Sequence, residues 1–378
     1  MTDLKTGQDE DNLDTNVAML PPGSTIGILG GGQLGRMLAL SAAQLGMKTM
    51  IFCPDPLSPA FDVTPNKIVA EYDDEARLID FANAVDVITY EFENVPVSSV
   101  ELLAKFKPVA PGARALSIAQ DRIEEKRFLT MNAIAVAPYK PVNALEDLIK
   151  AIDEIGTPAV LKTARMGYDG KGQRTIKEPK EAVAAFSALN GQPLVVEAFV
   201  PFEREISVIV ARSGNGEIDD YTAAENVHRD HILKTSTVPA AIDELTARRA
   251  SRIAHQIVGA LDYVGVLGVE FFVVPGEPHP TLLVNEIAPR VHNSGHWTQA
   301  ACITNQFEQH IRAICNWPLG DTTRYVDVQM ENLIGGEVEH ALTDLKEGTQ
   351  PHFYGKAEVR RGRKMGHLNR ANPKTDIN

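Results

Sequence analysis

At 378 residues the chain is too long for one ordinary hydrophobic core, and at roughly 150 residues per domain it divides into two or three. Its 44% hydrophobic and 23% charged residues exclude disorder, collagen and coiled coil as overall descriptions. A formal net charge of -13 excludes a general nucleic-acid binder, which needs a basic surface to displace counterions, so any phosphate bound here must meet local basicity.

Residues 1–23 begin polar and acidic, with no basic start followed by an apolar run, and read as a disordered tail rather than a signal peptide. Order begins at Ser24. Thr25 to Leu29 reads as a buried strand, Gly30 to Gly32 as the turn out of it, and Leu34, Met37, Leu38, Ala42 and Leu45 as the apolar face of a helix ended by Gly46. Strands at 48–53, 67–70, 85–91 and 108–110 alternate with helices at 75–84 and 98–105, the sign of a parallel, helix-wound sheet. A domain boundary is expected near 111–121. Beyond it come helices at 122–131 and 145–155, a strand ending at Lys162, a glycine-rich loop, a helix at 179–189, and strands at 194–199 and 204–211. The clearest helix is 243–262, followed by strands at 267–274 and 281–287 around the turn residues Pro275, Gly276 and Pro278. The segment from Gly320 onward forms a C-terminal piece carrying a basic block, Lys356 to Lys364, and 214–217 reads as an exposed hairpin tip. Cys53, Cys302 and Cys315 are too few and too scattered for a disulfide framework or a zinc knuckle, which suits a reducing cytoplasm. No stretch approaches the roughly 20 apolar residues of a membrane helix, so no membrane partner is expected.

Gly30 to Gly35 fits G-x-G-x-x-G between a strand and a helix, with Asp55 downstream, and admits three readings: a dinucleotide, the phosphate of another substrate, or a structural tight turn. Glycines let amides at a helix N-terminus approach any anion closely, which favours the second reading. Glu91 and Asn94 lie at the exit of a parallel strand, where such sheets bind ligands.

Lys162 at a strand end, followed by Gly167-Tyr168-Asp169-Gly170-Lys171-Gly172-Gln173, is suited to meet nucleotide phosphates with a point charge and a closing loop. The order of a Walker loop is absent, so the fold must be another ATP binder. Glu197-Ala198-Phe199-Val200 has the form of a hinge that offers backbone groups to adenine, and Glu205 could accept from ribose hydroxyls. Glu270 and Glu286 lie on two apolar strands joined by a hairpin, opposite or diagonal to each other. Two carboxylates so close need a cation, naturally magnesium, unless both simply face solvent at a sheet edge.

Lys162, the glycine loop, 197–200, and Glu270 with Asn285-Glu286 occur in the order of the ATP-grasp ligases. The strings at 30–37, 90–95, 167–173 and 290–297 closely resemble the 5-(carboxyamino)imidazole ribonucleotide synthase family. That resemblance implies an α/β and α+β chain: a disordered tail at 1–23, a Rossmann-like domain at 24–121, an ATP-grasp small lobe at 122–200, a large lobe at 201–319 and a C-terminal domain at 320–378. It implies ATP and two magnesium ions, with bicarbonate and 5-aminoimidazole ribonucleotide as small-molecule substrates. It also implies a homodimer, a cytoplasmic location and coupling to a downstream mutase. Arg122 and Lys162 should hold phosphates, Gly167, Tyr168, Asp169, Gly170, Lys171, Gly172 and Gln173 should form the lid, and Glu197, Ala198, Phe199 and Val200 should hold adenine. Glu205 should hold ribose, His228 should line the nucleotide pocket, and Glu270 and Glu286 should carry the metal with Asn285 adjacent. Gly31, Gly32, Gln33 and Leu34 should take the ribonucleotide phosphate, and Glu91, Asn94, Tyr168, Arg290, His292, Asn293, Ser294, Lys356 and Arg363 should surround that substrate. Asp169, Lys171, His292, Lys356 and Arg363 are the candidate catalytic groups. A relative acting on formate or biotin, an NAD-linked oxidoreductase and a non-catalytic ATP-binding module are the alternatives. The lid, the 290–297 string and the retained glutamates count against them.

Overall fold

A computed structural model describes residues 18–167, 170–189, 191–343 and 345–373. The expected tail up to residue 17, together with Tyr168 and Asp169, lies outside the described residues.

The N-terminal strands form a four-stranded parallel sheet in the order Asn66–Ile68, Lys48–Phe52, Thr25–Leu29, Val87–Tyr90. Ile26, Ile28 and Leu29 are fully buried because both faces are covered, which is why the strand reads as a continuous apolar run. On one face the helix Gln33–Gln44 packs Leu34, Met37, Leu38 and Ala42 into a core shared with Phe307, Ile311 and Ile314 of the helix Gln306–Ile314. The first domain is thereby fastened to the rest of the chain. The expected strand at 108–110 is reduced to one bridge between Val109 and Ile88, and the expected boundary at 111–121 contains a helix, Ala113–Ala119.

A second four-stranded sheet, antiparallel, runs in the order Tyr139–Val142, Leu194–Ala198, Ala159–Thr163, Gln173–Ile176. Its own small core includes Leu148, Ala151 and Ile152 of the helix Leu145–Ile155, at the spacing that places them on one helix face. The third sheet has nine strands and contains Arg204–Arg212, Ala224–Arg229, Ile232–Val238, Gly265–Val274 and Thr281–Ala288. It continues without a break into the C-terminal strands Asp327–Ile334, Lys364–Asn372 and Thr349–Phe353. The C-terminal piece is therefore an extension of the large-lobe sheet. The tip at 214–217 is a hairpin turn, since Ile218 pairs with Arg212.

Candidate active site

A cleft of about 750 Å³ is walled by strands of the second and third sheets and by residues that follow strands of the first, among them Gln33, Leu34, Glu91 and Asn94. The helix Arg122–Met131 crosses its floor. Asp121 caps that helix by accepting from the amides of Ile123 (3.0 Å) and Glu124 (3.4 Å), which sets Arg122 at its first turn. Arg122 Nη1 lies 3.4 Å from Glu286 Oε2, and its Nη2 donates to the Gly167 carbonyl at 3.1 Å. One guanidinium thus joins the large-lobe carboxylate to the start of the lid.

Glu270 and Glu286 are paired directly in the ladder between Gly265–Val274 and Thr281–Ala288, with a bulge immediately after Glu270. Side chains opposite each other in such a ladder have Cβ atoms about 5 Å apart. Burial first, and then the charge of Glu286, push the Glu270 carboxyl well above the usual carboxylate range. Two facing carboxylates with the Asn285 side chain beside them are an all-oxygen donor set, which fits a hard divalent cation such as magnesium. Glu205, His228 and Glu270 also cluster, with donor atoms within 4.8 Å of one another, and His228 Nδ1 is 3.3 Å from Glu205 Oε2.

On the small-lobe side, Lys162 Nζ donates to Glu197 Oε2 at 3.0 Å, and Lys126 Nζ lies 3.3 Å from the same oxygen. Burial alone would raise the Glu197 carboxyl, but the two ammonium groups reverse this and hold it at about 2. The amides of Ala198 and Phe199 bond to the carbonyls of Pro138 (2.8 Å) and Pro158 (3.1 Å), and the Val200 carbonyl accepts from the Phe202 amide at 3.0 Å, which leaves the Val200 amide to meet a base edge. Phe202 stacks on Phe272 with ring centroids 4.6 Å apart, giving the cleft an aromatic wall.

Arg290 grips Glu93 through two bonds of 2.7 Å, from Nε and Nη2. Burial would raise Glu93, but the guanidinium outweighs it and holds the carboxyl below its ordinary range. Gln33, Leu34, Glu91, Asn94, Asn293 and Lys364 also line the cleft, as does His292, whose Nε2 lies 3.7 Å from Glu270 Oε1.

Comparison with known proteins accounts for this arrangement along the whole chain. Residues 23–120 match the ribonucleotide synthetase preATP-grasp domain, 127–307 the ATP-grasp domain, and 329–376 the phosphoribosylaminoimidazole carboxylase C-terminal domain. The N5-carboxyaminoimidazole ribonucleotide synthase of Brucella melitensis is 53% identical over 94% of this chain and 98% of its own. The chain belongs to the N5-carboxyaminoimidazole ribonucleotide synthase family. It is an ATP-grasp ligase. The Bacillus subtilis synthase is 44% identical over 92% of this chain and 91% of its own. A solved synthetase of the same name in complex with ADP superposes with a TM-score of 0.91 at 43% identity, covering 94% of both chains. The Aspergillus clavatus synthase, solved with ADP and 5-aminoimidazole ribonucleotide, does so at 0.87 and 30% identity, covering 93% of this chain and 95% of that one.

Within this synthase fold not every residue expected at the site faces the cleft. The loop at 30–35 already holds an anion from its own chain: the Glu91 carboxylate accepts from the amides of Gly32 and, at 2.6 Å, Gly35. Burial pushes the Glu91 carboxyl up, and those two amides pull the other way. Gly31 and Gly32 do not line the cleft, so only Gln33 and Leu34 of the four residues expected at the ribonucleotide phosphate stand there. Ser294 is fully buried, its hydroxyl bonded to Ser207 (2.7 Å) and His292 (2.8 Å). Burial, with Arg290 and Lys364 nearby, pushes His292 down to about 3, which favours the neutral imidazole.

Lys356 and Arg363 are not on the cleft wall, although the Lys356 ammonium is near enough to pull the Glu91 carboxyl down. Lys356 donates to the Lys364 carbonyl at 2.7 Å and Arg363 to the Glu358 carbonyl at 3.0 Å, while the Lys364 side chain enters instead. Gly172 also stands back from the cleft, against Thr163, whereas Gly167, Gly170, Lys171 and Gln173 face it. Glu93, Glu125 and Lys364 line the cleft and Lys126 stands behind it on Glu197, and none of the four is among the residues expected at the site. Lys364 had a signal, the basic block; the other three are charges on elements whose partners lie far away in sequence.

Proposed function

We infer that the chain carboxylates 5-aminoimidazole ribonucleotide with bicarbonate at the expense of ATP, giving N5-carboxyaminoimidazole ribonucleotide, ADP and phosphate. The observation that supports this most directly is one cleft lined by two chemically distinct groups of residues. Lys162, Arg122 and the facing glutamates are suited to phosphates and a cation, and the Arg290–Glu93 pair joins them to the polar residues Glu91 and Asn94 that follow the parallel sheet.

The γ-phosphoryl group passes from ATP to a bicarbonate oxygen, forming carboxyphosphate as the bond to ADP breaks. Carboxyphosphate then yields phosphate and CO2, and the exocyclic amine of the ribonucleotide attacks the CO2 carbon and loses a proton to form the carbamate. Glu270, Glu286 and Asn285 would hold magnesium, which neutralises phosphate charge during transfer. Lys162 and Arg122 orient the phosphates as fixed cations in a partly buried site, where their fields are little screened. The glycine lid is tied to Arg122 at Gly167, and its closure excludes water from an intermediate that water destroys. Arg290, locked by Glu93, offers a preset guanidinium edge to an anionic substrate. The homodimer and the hand-over of product to a mutase belong to this proposal, and light scattering tests the former.

The test is steady-state phosphate release with each substrate left out in turn. Full rate should need ATP, bicarbonate and the ribonucleotide together. Equal release with formate in place of bicarbonate would overturn the reading.

A further inference from the structure

The helix Arg122–Met131 turns Arg122, Glu125 and Lys126 to one side at three- and four-residue spacing. Arg122 reaches Glu286 and the lid, and Glu125 accepts the Ile287 amide at 2.6 Å, so both brace the large lobe. Lys126 instead reaches Glu197, in the small-lobe strand Leu194–Ala198. Its side chain is 2% exposed and does not line the cleft, so it touches neither nucleotide nor ribonucleotide. An ammonium so deeply buried is costly unless a charge partner fixes it, and here that partner is a cleft residue.

Lys126 and Lys162 both approach the same oxygen, Glu197 Oε2, at 3.3 and 3.0 Å. The second oxygen, Oε1, is buried and has no hydrogen-bond partner among the described residues. A buried carboxylate oxygen left without a donor marks a place where a ligand supplies one. Being ionised, the group can only accept. Glu197 opens the 197–200 segment, and it lines the same cleft as the stacked Phe202 and Phe272.

We propose that Lys126 is a positioning residue for the nucleotide: with Lys162 it pins Glu197 through Oε2 and so holds Oε1 as an acceptor for the exocyclic amine of an adenine-type base. This rests on reading the cleft as an ATP site. With Lys126 removed, Glu197 keeps Lys162 as its one cation and its carboxylate can turn about that contact, which misplaces the base acceptor. A guanine-type base presents a carbonyl at the same edge, and two acceptors face to face repel, so the device also discriminates between purines.

The experiment compares Lys126→Met and Lys126→Arg with the full-length parent, measuring ADP and GDP binding by calorimetry and KM for ATP and kcat by phosphate release. Lys126→Met should bind ADP at least about tenfold more weakly, with a narrowed preference for ADP over GDP, KM raised and kcat within a few-fold. Lys126→Arg should recover most of the affinity. A merely structural role would lower thermal stability and active fraction while leaving KM and the ADP-to-GDP ratio untouched, and that result overturns the proposal. Should Lys126→Met not fold, Glu197→Gln carries the test, since an amide there weakens the acceptor and an unchanged ADP-to-GDP ratio would be equally fatal. A parent protein that binds no ADP at all would remove the ATP-site reading itself.

Discussion

Glu270 stands directly opposite Glu286 in the antiparallel ladder that forms the large-lobe wall of the cleft. Neither carboxylate is tied up in a strong bond: Arg122 reaches Glu286 at 3.4 Å, and His292 Nε2 lies 3.7 Å from Glu270. Glu286→Gln should therefore leave the fold intact while cutting turnover by roughly a hundredfold or more, through loss of one cation ligand. Phosphate release and a thermal melt on the same preparation check this; near-normal turnover would take Glu286 out of the metal site.

Gly35 lies under Gly30, and a Cβ added there would come 2.7 Å from the Gly30 carbonyl oxygen, a backbone atom that cannot swing aside. Gly35→Ala should destabilise the protein by about 1–3 kcal/mol and loosen the seat of the Glu91 carboxylate. Urea unfolding measures the first effect. Because Glu91 fills the helix N-terminus, NAD added to the intact protein should produce no saturable binding signal by calorimetry.

His310 joins the first domain to the large lobe. Its Nδ1 accepts from the Val266 amide at 3.1 Å, which leaves Nε2–H to donate to Thr89 Oγ1 at 2.8 Å. Burial holds it at about 3, against 6.5 for an ordinary histidine. A group whose folded pKa is depressed contributes stability above the unfolded value, and that contribution drains away as pH falls from 6.5 toward 3. By pH 5 this one residue should cost about 2 kcal/mol, and buried His296 and His367, lowered in the same direction, add to it. Unfolding free energy measured between pH 7.5 and 5 should fall steeply, and less steeply in His310→Gln.

Arg290→Lys keeps the charge but cannot reproduce the two parallel bonds to Glu93. The expected result is a KM for the ribonucleotide raised by about tenfold or more, with ADP affinity unchanged, because Arg290 is fixed by Glu93 whereas Lys162 is fixed by Glu197. Substrate titrations and ADP calorimetry separate the two effects; a loss confined to ADP binding would place Arg290 on the nucleotide instead.

The local features of the chain were legible without coordinates. The parallel strands follow from continuous apolar runs, and the opposition of Glu270 and Glu286 follows from a short hairpin with apolar strands on either side, because pairing register over a few residues is set by nearby sequence. The glycine fingerprint was legible only as an anion seat. That its anion is Glu91, some sixty residues on, depends on the parallel pairing of Thr25–Leu29 with Val87–Tyr90.

Strings of residues named Lys162, Glu197, Glu286 and Arg290 as a site because their chemical types and order are distinctive. Only the tertiary structure could show that Lys126 and Lys162 share one oxygen of Glu197, that Glu93 locks Arg290, that Lys364 rather than Lys356 or Arg363 enters the cleft, and that Ser294 is buried away from it. The reason is physical. A motif reports what a side chain can do, whereas its partner and its burial are decided by which distant elements the core brings against it, and charge pairing between such elements leaves no periodic trace in the sequence.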